Sequence, residues 1–338
     1  MIYLDSAATS LLKPPSVVRA TAMAMRTMAS PGRGGHSAAM RAADTVFTCR
    51  EAAAELFHVP EPERVVFTMN ATHALNIAIH SLVSPGDPVV ISGYEHNSVT
   101  RPLHALGAQV RVAESSLFEP EAAVSAFRRA LPGAKAAVCT MVSNVFGYLL
   151  PVREIAELCA AAGVPLIVDA SQAAGCVAFD AAALGAAFVA MPGHKGLLGP
   201  QGTGILLCFA QPKPLLCGGT GSQSVLQDMP EELPDRLEAG THNVCGLAGL
   251  LAAALYLAVR VYLRDTVKCE ADVEQKLDTR LLATVRHEKK YKTLRAQLCL
   301  RKRKTSILIT NPTTGFAFVE TFKRLRTRVD YLMRRAQG

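Results

Sequence analysis

The chain contains the stretch Met191-Pro192-Gly193-His194-Lys195-Gly196-Leu197-Leu198-Gly199-Pro200-Gln201-Gly202, in which a single lysine lies among glycines and beside a histidine. The stretch follows an apolar run, so the lysine is expected in a loop after a buried strand. A second stretch, Val168-Asp169-Ala170-Ser171-Gln172, places an aspartate at the end of another apolar run. An amine and a carboxylate that follow two strands are candidates for one site.

This pair of groups matches the chemical needs of pyridoxal phosphate. Lys195 would form the Schiff base, and Asp169 would keep the pyridine nitrogen protonated so that the ring can act as an electron sink. Lys195 must be neutral to attack an aldehyde, which partial burial and a nearby positive charge favour. Taken alone, the lysine could be a surface residue and the aspartate a helix cap. Taken together, the two residues favour the cofactor site.

The region around these stretches predicts an α/β fold, because short apolar runs alternate with longer amphipathic ones between residues 64 and 208. The predicted strands are 65–68, 88–92, 109–113, 136–141, 166–169, 187–191 and 205–208, and the predicted helices are 72–82, 98–106, 119–130 and 152–162. This alternation indicates right-handed crossovers and a mainly parallel sheet covered by helices on both faces. Ligands in such sheets bind beyond the carboxyl ends of the strands, where Asp169 and the Lys195 loop are expected.

Composition favours a globular protein of a reducing compartment. The 338 residues suffice for one or two domains, and half of them are hydrophobic. No targeting segment is expected, because Asp5 and the polar residues 6–10 interrupt the start of the chain. The longest apolar run, 244–259, is shorter than the roughly 20 residues that span a bilayer, so it predicts a buried helix. Nine scattered cysteines without a C-x-x-C pair favour the cytoplasm over disulfides or a metal site.

The net charge of +8 is unevenly distributed along the chain. Residues 286–338 contain 15 Lys/Arg and 3 Asp/Glu, a net charge of +12, which leaves −4 for the rest. A basic segment can bind nucleic acid, but this one has no zinc pattern and no nucleic-acid motif. It is therefore interpreted as a solvated basic segment, and no nucleic-acid partner is expected.

The order and setting of these motifs resemble the class V aminotransferase family, and within it the cysteine desulfurases. Lys195 matches that family's Schiff-base lysine, Asp169 its pyridinium partner and Gln172 the residue that hydrogen-bonds the ring hydroxyl. The resemblance covers roughly residues 1–285. It implies the pyridoxal-phosphate transferase fold of type I, with a mainly parallel seven-stranded sheet covered by helices and an atypical C-terminal segment.

The resemblance also implies how the cofactor phosphate is held. The stretch Asn70-Ala71-Thr72-His73 follows a predicted strand and opens a helix, and backbone N–H groups at a helix start bind phosphate readily. Thr72 resembles the family's phosphate-binding threonine, with Ala71 and His73 beside it, and His194 resembles its phosphate-contacting histidine. Without the resemblance, Thr72 would indicate an ordinary helix cap.

Two later motifs are similar to family segments near a subunit boundary. They are Cys217-Gly218-Gly219-Thr220-Gly221-Ser222 and Glu238-Ala239-Gly240-Thr241-His242-Asn243. Thr241 would reach the phosphate of the neighbouring subunit, so the resemblance implies a homodimer. As sequence alone, both motifs are typical of loop turns.

The substrate side of the site is implied by the resemblance. His96, in Glu95-His96-Asn97-Ser98, is the candidate that stacks on the pyridine ring and handles protons near the substrate Cα. Asn144 matches the asparagine that lies near the substrate. The segments containing Ala8 and His36 look like those that border the substrate pocket.

Three regions are predicted: a large cofactor-binding domain at 1–240, a connecting helical region at 241–285 and the basic segment at 286–338. The basic segment is a genuine domain, an unrelated terminus or the product of an altered reading frame. Within the last two, residues 245–286 are expected to be helical, 307–310 and 316–320 strands, and 322–335 a basic helix.

The implied activity is conversion of cysteine to alanine, with the sulfur held as a persulfide on a protein cysteine and passed to an acceptor protein. Desulfurases place that cysteine in an Arg-x-Gly-x-His-Cys setting and use a later arginine to clamp the substrate carboxylate; neither motif is found. Cys269 and Cys299 lack the surrounding pattern, although Arg301-Lys302-Arg303-Lys304 could lower the pKa of Cys299. Two alternatives stay open: a cofactor-binding protein without desulfurase turnover, or another class V transaminase or lyase.

Overall fold

The structure is a computed structural model that describes residues 2–32, 34–223 and 225–263, together with Arg326. Several predicted features lie outside these residues: Arg33, Cys269, Cys299, the run 301–304, the helix beyond residue 263, both late strands and, apart from Arg326, the final basic helix. The chain divides into two compact units, Met1–Tyr262 and Leu263–Gly338. Their boundary falls inside the predicted connecting region, and the predicted domain limits stay predictions.

A seven-stranded sheet forms the centre of the first unit. Its strands are β1 Val65–Thr68, β2 Pro88–Ser92, β3 Gln109–Ala113, β4 Ala136–Thr140, β5 Leu166–Asp169, β6 Phe188–Pro192 and β7 Gly204–Cys208. Their order is β1-β7-β6-β5-β4-β2-β3, and β7 runs antiparallel to β1 and β6 while the other pairs are parallel. The predicted fold class is confirmed, and the ends of the seven strands predicted between residues 64 and 208 lie within one residue of the observed ones.

Helices connect and flank these strands. They are α1 Pro15–Thr27, α2 Ser37–Phe57, α3 Ala71–Leu82, α4 Asn97–Ala105, α5 Pro120–Ala130, α6 Val152–Ala161 and α7 Val244–Leu263, with a short 3₁₀ turn at Pro62–Arg64. Helices α3 to α6 confirm the predictions, whereas α1 and α2 were not predicted. None of the described helices is long and apolar enough to cross a membrane.

Two apolar clusters cover the two faces of the sheet. In β5, Leu166 and Val168 point to one cluster and Ile167 to the other. Strands buried along their whole length, such as β4 and β7, are almost continuously apolar in sequence, which is why they were predictable, whereas β3 is largely exposed. Helix α7 differs from the prediction of a wholly buried helix: Leu247 and Leu250 are buried, but Leu255 and Val259 are more than half exposed.

Candidate functional site

An open cleft lies at the carboxyl ends of β4 and β5, bordered by the starts of α3 and α4 and the loop that follows β6. It brings together Ala71, Thr72 and His96 from the helix starts with Asn144, Asp169, Gln172, His194 and Lys195 from the strand ends. These residues span more than a hundred positions of sequence. They meet because parallel strands direct their carboxyl ends to one edge of the sheet.

Asp169 is the last residue of β5 and is buried, pairing in register with Thr140 of β4 and Ala190 of β6. Its Oδ1 accepts the backbone N–H of Ser171 at 2.9 Å. Burial raises the pKa of Asp169, and hydrogen bonds from Ser171 and the charges of Lys195 and His96 oppose that rise. The carboxylate therefore lies in a buried environment with little solvation, where a cationic partner would stabilise its charged form.

Lys195 is half-buried in the loop after β6, and burial lowers its pKa while the charge of Asp169 opposes the change. Among the described residues, its Nζ takes part in no hydrogen bond and no ion pair within 4.0 Å. An amine that is easily deprotonated and has no fixed partner is suited to attack a carbonyl.

Close packing of two loops places Lys195 beside the end of β5. A Cβ on Gly196 would lie 2.3 Å from the carbonyl oxygen of Ala174, and one on Gly175 would lie 2.4 Å from the carbonyl carbon of Gly196. Gly175 also has a φ of +79°, in the region that favours glycine. Glycine at both positions is therefore required for the contact between the loops.

A chain of hydroxyl and imidazole groups joins the starts of α3 and α4. Thr72 Oγ1 lies 2.8 Å from Ser98 Oγ, which lies 2.9 Å from His96 Nδ1. The backbone N–H of Ser98 donates to the same Nδ1 at 3.1 Å, so a neutral His96 carries its proton on Nε2. Ser98 lines the cleft and was not among the predicted residues.

The N-terminal segment crosses the Lys195 loop. Lys13 Nζ donates to the carbonyl oxygen of His194 at 2.8 Å, and His194 Nδ1 lies 3.0 Å from Thr9 Oγ1. Burial, followed by the charges of Lys195 and Lys13, lowers the pKa of His194. Thr9 and Lys13 were also missed by the sequence analysis.

Gln172 faces the same segment, because its Nε2 donates to the carbonyl oxygen of Ala7 at 3.0 Å. Ala8 itself is exposed and does not line the cleft. His36 is also exposed and caps α2, where its Nδ1 accepts the backbone N–H of Ala39 at 3.4 Å. The substrate roles given to Ala8 and His36 stay predictions.

His73 and Thr241 lie together in a neighbouring pocket that also contains Glu238 and His242. The Nδ1 of His73 accepts the backbone N–H of Met69 at 3.4 Å, and burial lowers the pKa of His73. Within the described chain these two residues are not part of the cleft that holds Lys195. A role for Thr241 toward a second subunit stays a prediction.

The donor set of the cleft fits pyridoxal phosphate. The start of α3 offers backbone N–H groups beside the Thr72 hydroxyl, which suits a phosphate. Asp169 offers a buried carboxylate for a cationic ring nitrogen, and Lys195 offers an amine for an aldehyde. No group of three or more His, Cys, Asp or Glu side chains in the described residues could hold a metal ion.

The described fold agrees with comparisons to known proteins. The family model for class V aminotransferases matches residues 2–303, so the chain belongs to that family. The match continues past residue 285, which is the last residue of the resemblance described from the sequence motifs. A solved apo structure of the cysteine desulfurase from Thermococcus onnurineus superposes with a TM-score of 0.69 at 30% identity, covering 78% of this chain and 68% of that one.

Curated relatives are also named as cysteine desulfurases. A probable cysteine desulfurase of Methanothermobacter thermautotrophicus is 35% identical over 272 residues, which cover 76% of this chain and 66% of the relative. A cysteine desulfurase of Serratia proteamaculans is 33% identical over 298 residues, which cover 82% of this chain and 70% of the relative. The chain thus spans about two thirds of the length of these relatives.

Proposed function

We propose that this protein is a pyridoxal-phosphate enzyme that acts on an amino acid and, as a cysteine desulfurase, converts cysteine to alanine. One observation carries the proposal: the Lys195 amine and the Asp169 carboxylate lie in a single cleft at the ends of neighbouring strands. The names of the relatives support cysteine as the substrate. Bound pyridoxal phosphate would supply an electron sink for the negative charge that develops at the substrate Cα.

Asp169 and Lys195 would be the two catalytic residues. Asp169, whose carboxyl group is buried, would hold a proton on the ring nitrogen of the cofactor. Lys195 would bind the cofactor aldehyde and later remove the proton from the substrate Cα as a general base. Its lowered pKa keeps a larger fraction of the amine neutral, as both tasks require.

The remaining cleft residues would orient the bound groups. Thr72, the backbone at Ala71 and His194 would donate to the phosphate, with Ser98 fixing the Thr72 hydroxyl at 2.8 Å. His96 would cover the ring and handle protons near the substrate Cα. Gln172 would hydrogen-bond the ring hydroxyl, and Asn144 would contact the amino acid.

Three broader features belong to the same proposal. A homodimer is supported by the exposed loop that carries Thr241, which the described cleft of one chain does not include. A cytoplasmic location is supported by the seven described cysteines, all of which are free. A separate sulfur-acceptor protein follows from the desulfurase reaction, in which the sulfur leaves cysteine for a protein thiolate and alanine is released.

A second candidate is a cofactor-binding protein or class V lyase without desulfurase turnover. It is favoured by the observation that none of the described cysteines lines the cleft. Without a placed thiolate, the substrate sulfur has no acceptor. Cys269 and Cys299 lie outside the described residues.

Two measurements test these functions. Borohydride reduction of the protein loaded with pyridoxal phosphate should fix a pyridoxyl label on Lys195, and Lys195→Ala should lose that label; an unchanged label would refute the cofactor site. Cysteine is then supplied to the loaded protein, and alanine and protein persulfide are measured. Alanine with stoichiometric persulfide supports a desulfurase, whereas labelled protein that releases no alanine supports the second candidate.

A further inference from the structure

The carbonyl oxygen of His194, one residue before Lys195, is held by an unusual number of donors from the start of the chain. The ammonium of Lys13 lies 2.8 Å from it, and the backbone N–H of Ser10 lies 3.2 Å away. The hydroxyls of Ser10 and Thr9 lie 2.9 and 3.2 Å away. A carbonyl oxygen has two lone pairs, so four donors cannot all be satisfied there.

The position of Lys13 decides how the protons are distributed. Its Nζ is also 2.5 Å from Ser10 Oγ, and an ammonium can only donate. Ser10 Oγ therefore accepts from Lys13 and turns its own proton to the carbonyl oxygen of Lys195, 3.0 Å away. The ammonium and the Ser10 N–H then fill the two lone pairs of the His194 oxygen.

This arrangement leaves the Thr9 hydroxyl to the imidazole. Thr9 Oγ1 is 3.0 Å from His194 Nδ1, and with the carbonyl filled it donates to that nitrogen. The proton of the neutral ring must then be on Nε2. Burial, followed by the charges of Lys195 and Lys13, lowers the pKa of His194, which favours the neutral ring. If Thr9 instead donated to the carbonyl, Nδ1 would carry the proton and Nε2 could not donate.

We propose that Lys13 is a positioning residue of the cofactor site: its ammonium fixes the backbone that carries Lys195 and, through Ser10 and Thr9, holds His194 as the tautomer with Nε2–H. That tautomer is the one that can donate to a phosphate. The consequence for cofactor affinity rests on the proposed function, whereas the tautomer can be observed on the apoprotein.

The first test is nitrogen NMR of the histidine ring in the apoprotein, with the His194 signals assigned by their loss in His194→Gln. We expect Nε2–H in the unsubstituted chain and a shift toward Nδ1–H in Lys13→Met, which frees a lone pair of the carbonyl for Thr9. Lys13→Arg should restore the original signals, and Lys135→Met, at an exposed position, should not change them. Identical His194 signals in the chain with and without Lys13→Met would overturn the proposal.

A second variant keeps the test decisive if Lys13→Met does not fold. Thr9→Val removes the donor to Nδ1 while leaving the Lys13 ammonium in place. We expect it to change the tautomer of His194 without removing the contact between Lys13 and the His194 carbonyl oxygen. Unaltered His194 signals in Thr9→Val would refute the assigned proton distribution.

The second test measures uptake of pyridoxal phosphate as borohydride-fixed label against cofactor concentration. Loss of a charge-assisted hydrogen bond should raise the half-saturating concentration for Lys13→Met by roughly tenfold to a hundredfold. Lys13→Arg should stay within about threefold of the unsubstituted chain. Equal half-saturation for Lys13→Met would contradict the role of Lys13. No uptake by the unsubstituted chain would refute the proposed function instead, and the NMR comparison would still decide the role of Lys13.

Discussion

Glu95 and Thr140 are joined by a 2.6 Å hydrogen bond from the backbone N–H of Thr140 to Glu95 Oε1. The same oxygen accepts the Ser92 hydroxyl at 2.5 Å. Thr140 is the register partner of Asp169, so the residue before His96 is anchored directly beside the cleft carboxylate. The other oxygen, Oε2, is buried and has no hydrogen-bond partner among the described residues.

We expect Glu95 to make the protein less stable as pH rises from about 4.5 to about 8. Burial is the main reason that the pKa of Glu95 rises from 4.5 to about 8, and the nearby charge of Asp169 adds to it. Between these values the folded chain keeps a proton that the unfolded chain loses, so unfolding becomes easier with pH by up to ~1.4 kcal/mol per unit. Urea unfolding across this pH range should show that the free energy of unfolding decreases less with pH in Glu95→Gln than in the unsubstituted chain.

The control is Glu51→Gln, which changes an exposed glutamate of α2. Asp169 also titrates with a raised pKa, so the difference between the two pH profiles measures Glu95 together with its interaction with Asp169. Parallel pH profiles for Glu95→Gln and the unsubstituted chain would show that Glu95 is ionised in the folded state.

Asp169→Asn should slow exchange of the substrate Cα proton far more than it weakens uptake of pyridoxal phosphate. The amide cannot hold a proton on the ring nitrogen, whereas the phosphate contacts remain. Loss of a charge-assisted hydrogen bond predicts a decrease of roughly tenfold to a hundredfold or more. Deuterium exchange at Cα of a bound amino acid measures the effect, with exposed Asp44→Asn as control. An unchanged exchange rate in Asp169→Asn would remove the role given to that carboxylate.

Breaking the buried ion pair between Arg50 and Glu238 should destabilise the protein by about 3–5 kcal/mol. The two side chains form a bidentate pair at 2.8 and 2.9 Å, and Glu238 also accepts the backbone N–H of Phe67 at 2.7 Å. Arg50→Met removes the guanidinium from this buried carboxylate, which keeps only the Phe67 N–H and the His242 ring, 3.5 Å away, among its contacts in the described residues. Urea unfolding should show that Arg50→Met combined with Glu238→Gln costs less than the sum of the single changes.

The exposed pair of Arg64 and Glu61, at 2.7 Å, provides the comparison. Arg64→Met should change stability by less than about 1 kcal/mol, because solvent screens surface pairs. Equal effects at the two sites would mean that burial does not govern the strength of the Arg50 pair.

Gly196→Ala should loosen the Lys195 loop. The added Cβ would lie 2.3 Å from the Ala174 carbonyl oxygen, so one of the two loops must move. Overpacking of this kind typically costs about 1–3 kcal/mol. We expect a lower melting temperature and weaker borohydride labelling, whereas Gly35→Ala, where a Cβ would meet nothing within 4 Å, should alter neither.

The strands and the cleft were predictable because both depend on local signals. The buried strands are mainly apolar; Asp169 is the last residue of β5, and Lys195 and Thr72 follow the ends of β6 and β1. Helix α2 carried a usable signal that was overlooked: Ala42, Val46, Cys49 and Ala53 recur at helical spacing and are all buried.

The remaining site residues could not be predicted from spacing. Thr9 and His194 are 185 positions apart and meet only because the chain start crosses the Lys195 loop. Ser98 matters through its contacts with Thr72 and His96, which come from two different helix starts. Glu95 was quoted beside His96, but only its burial distinguishes it from a solvated glutamate. Such roles arise from tertiary contacts rather than from any local pattern.

The antiparallel strand β7 has a consequence for synthesis on the ribosome. Strand β1 ends at Thr68 and, among the described strands, pairs only with β7, which begins at Gly204. During translation, the backbone N–H and C=O groups of β1 therefore stay unpaired until the Lys195 loop has been synthesised. Only then can β7 follow and insert between β1 and β6. Because β7 closes the sheet and follows the Lys195 loop directly, the edge strand can dock only after the residues of the cleft have been made.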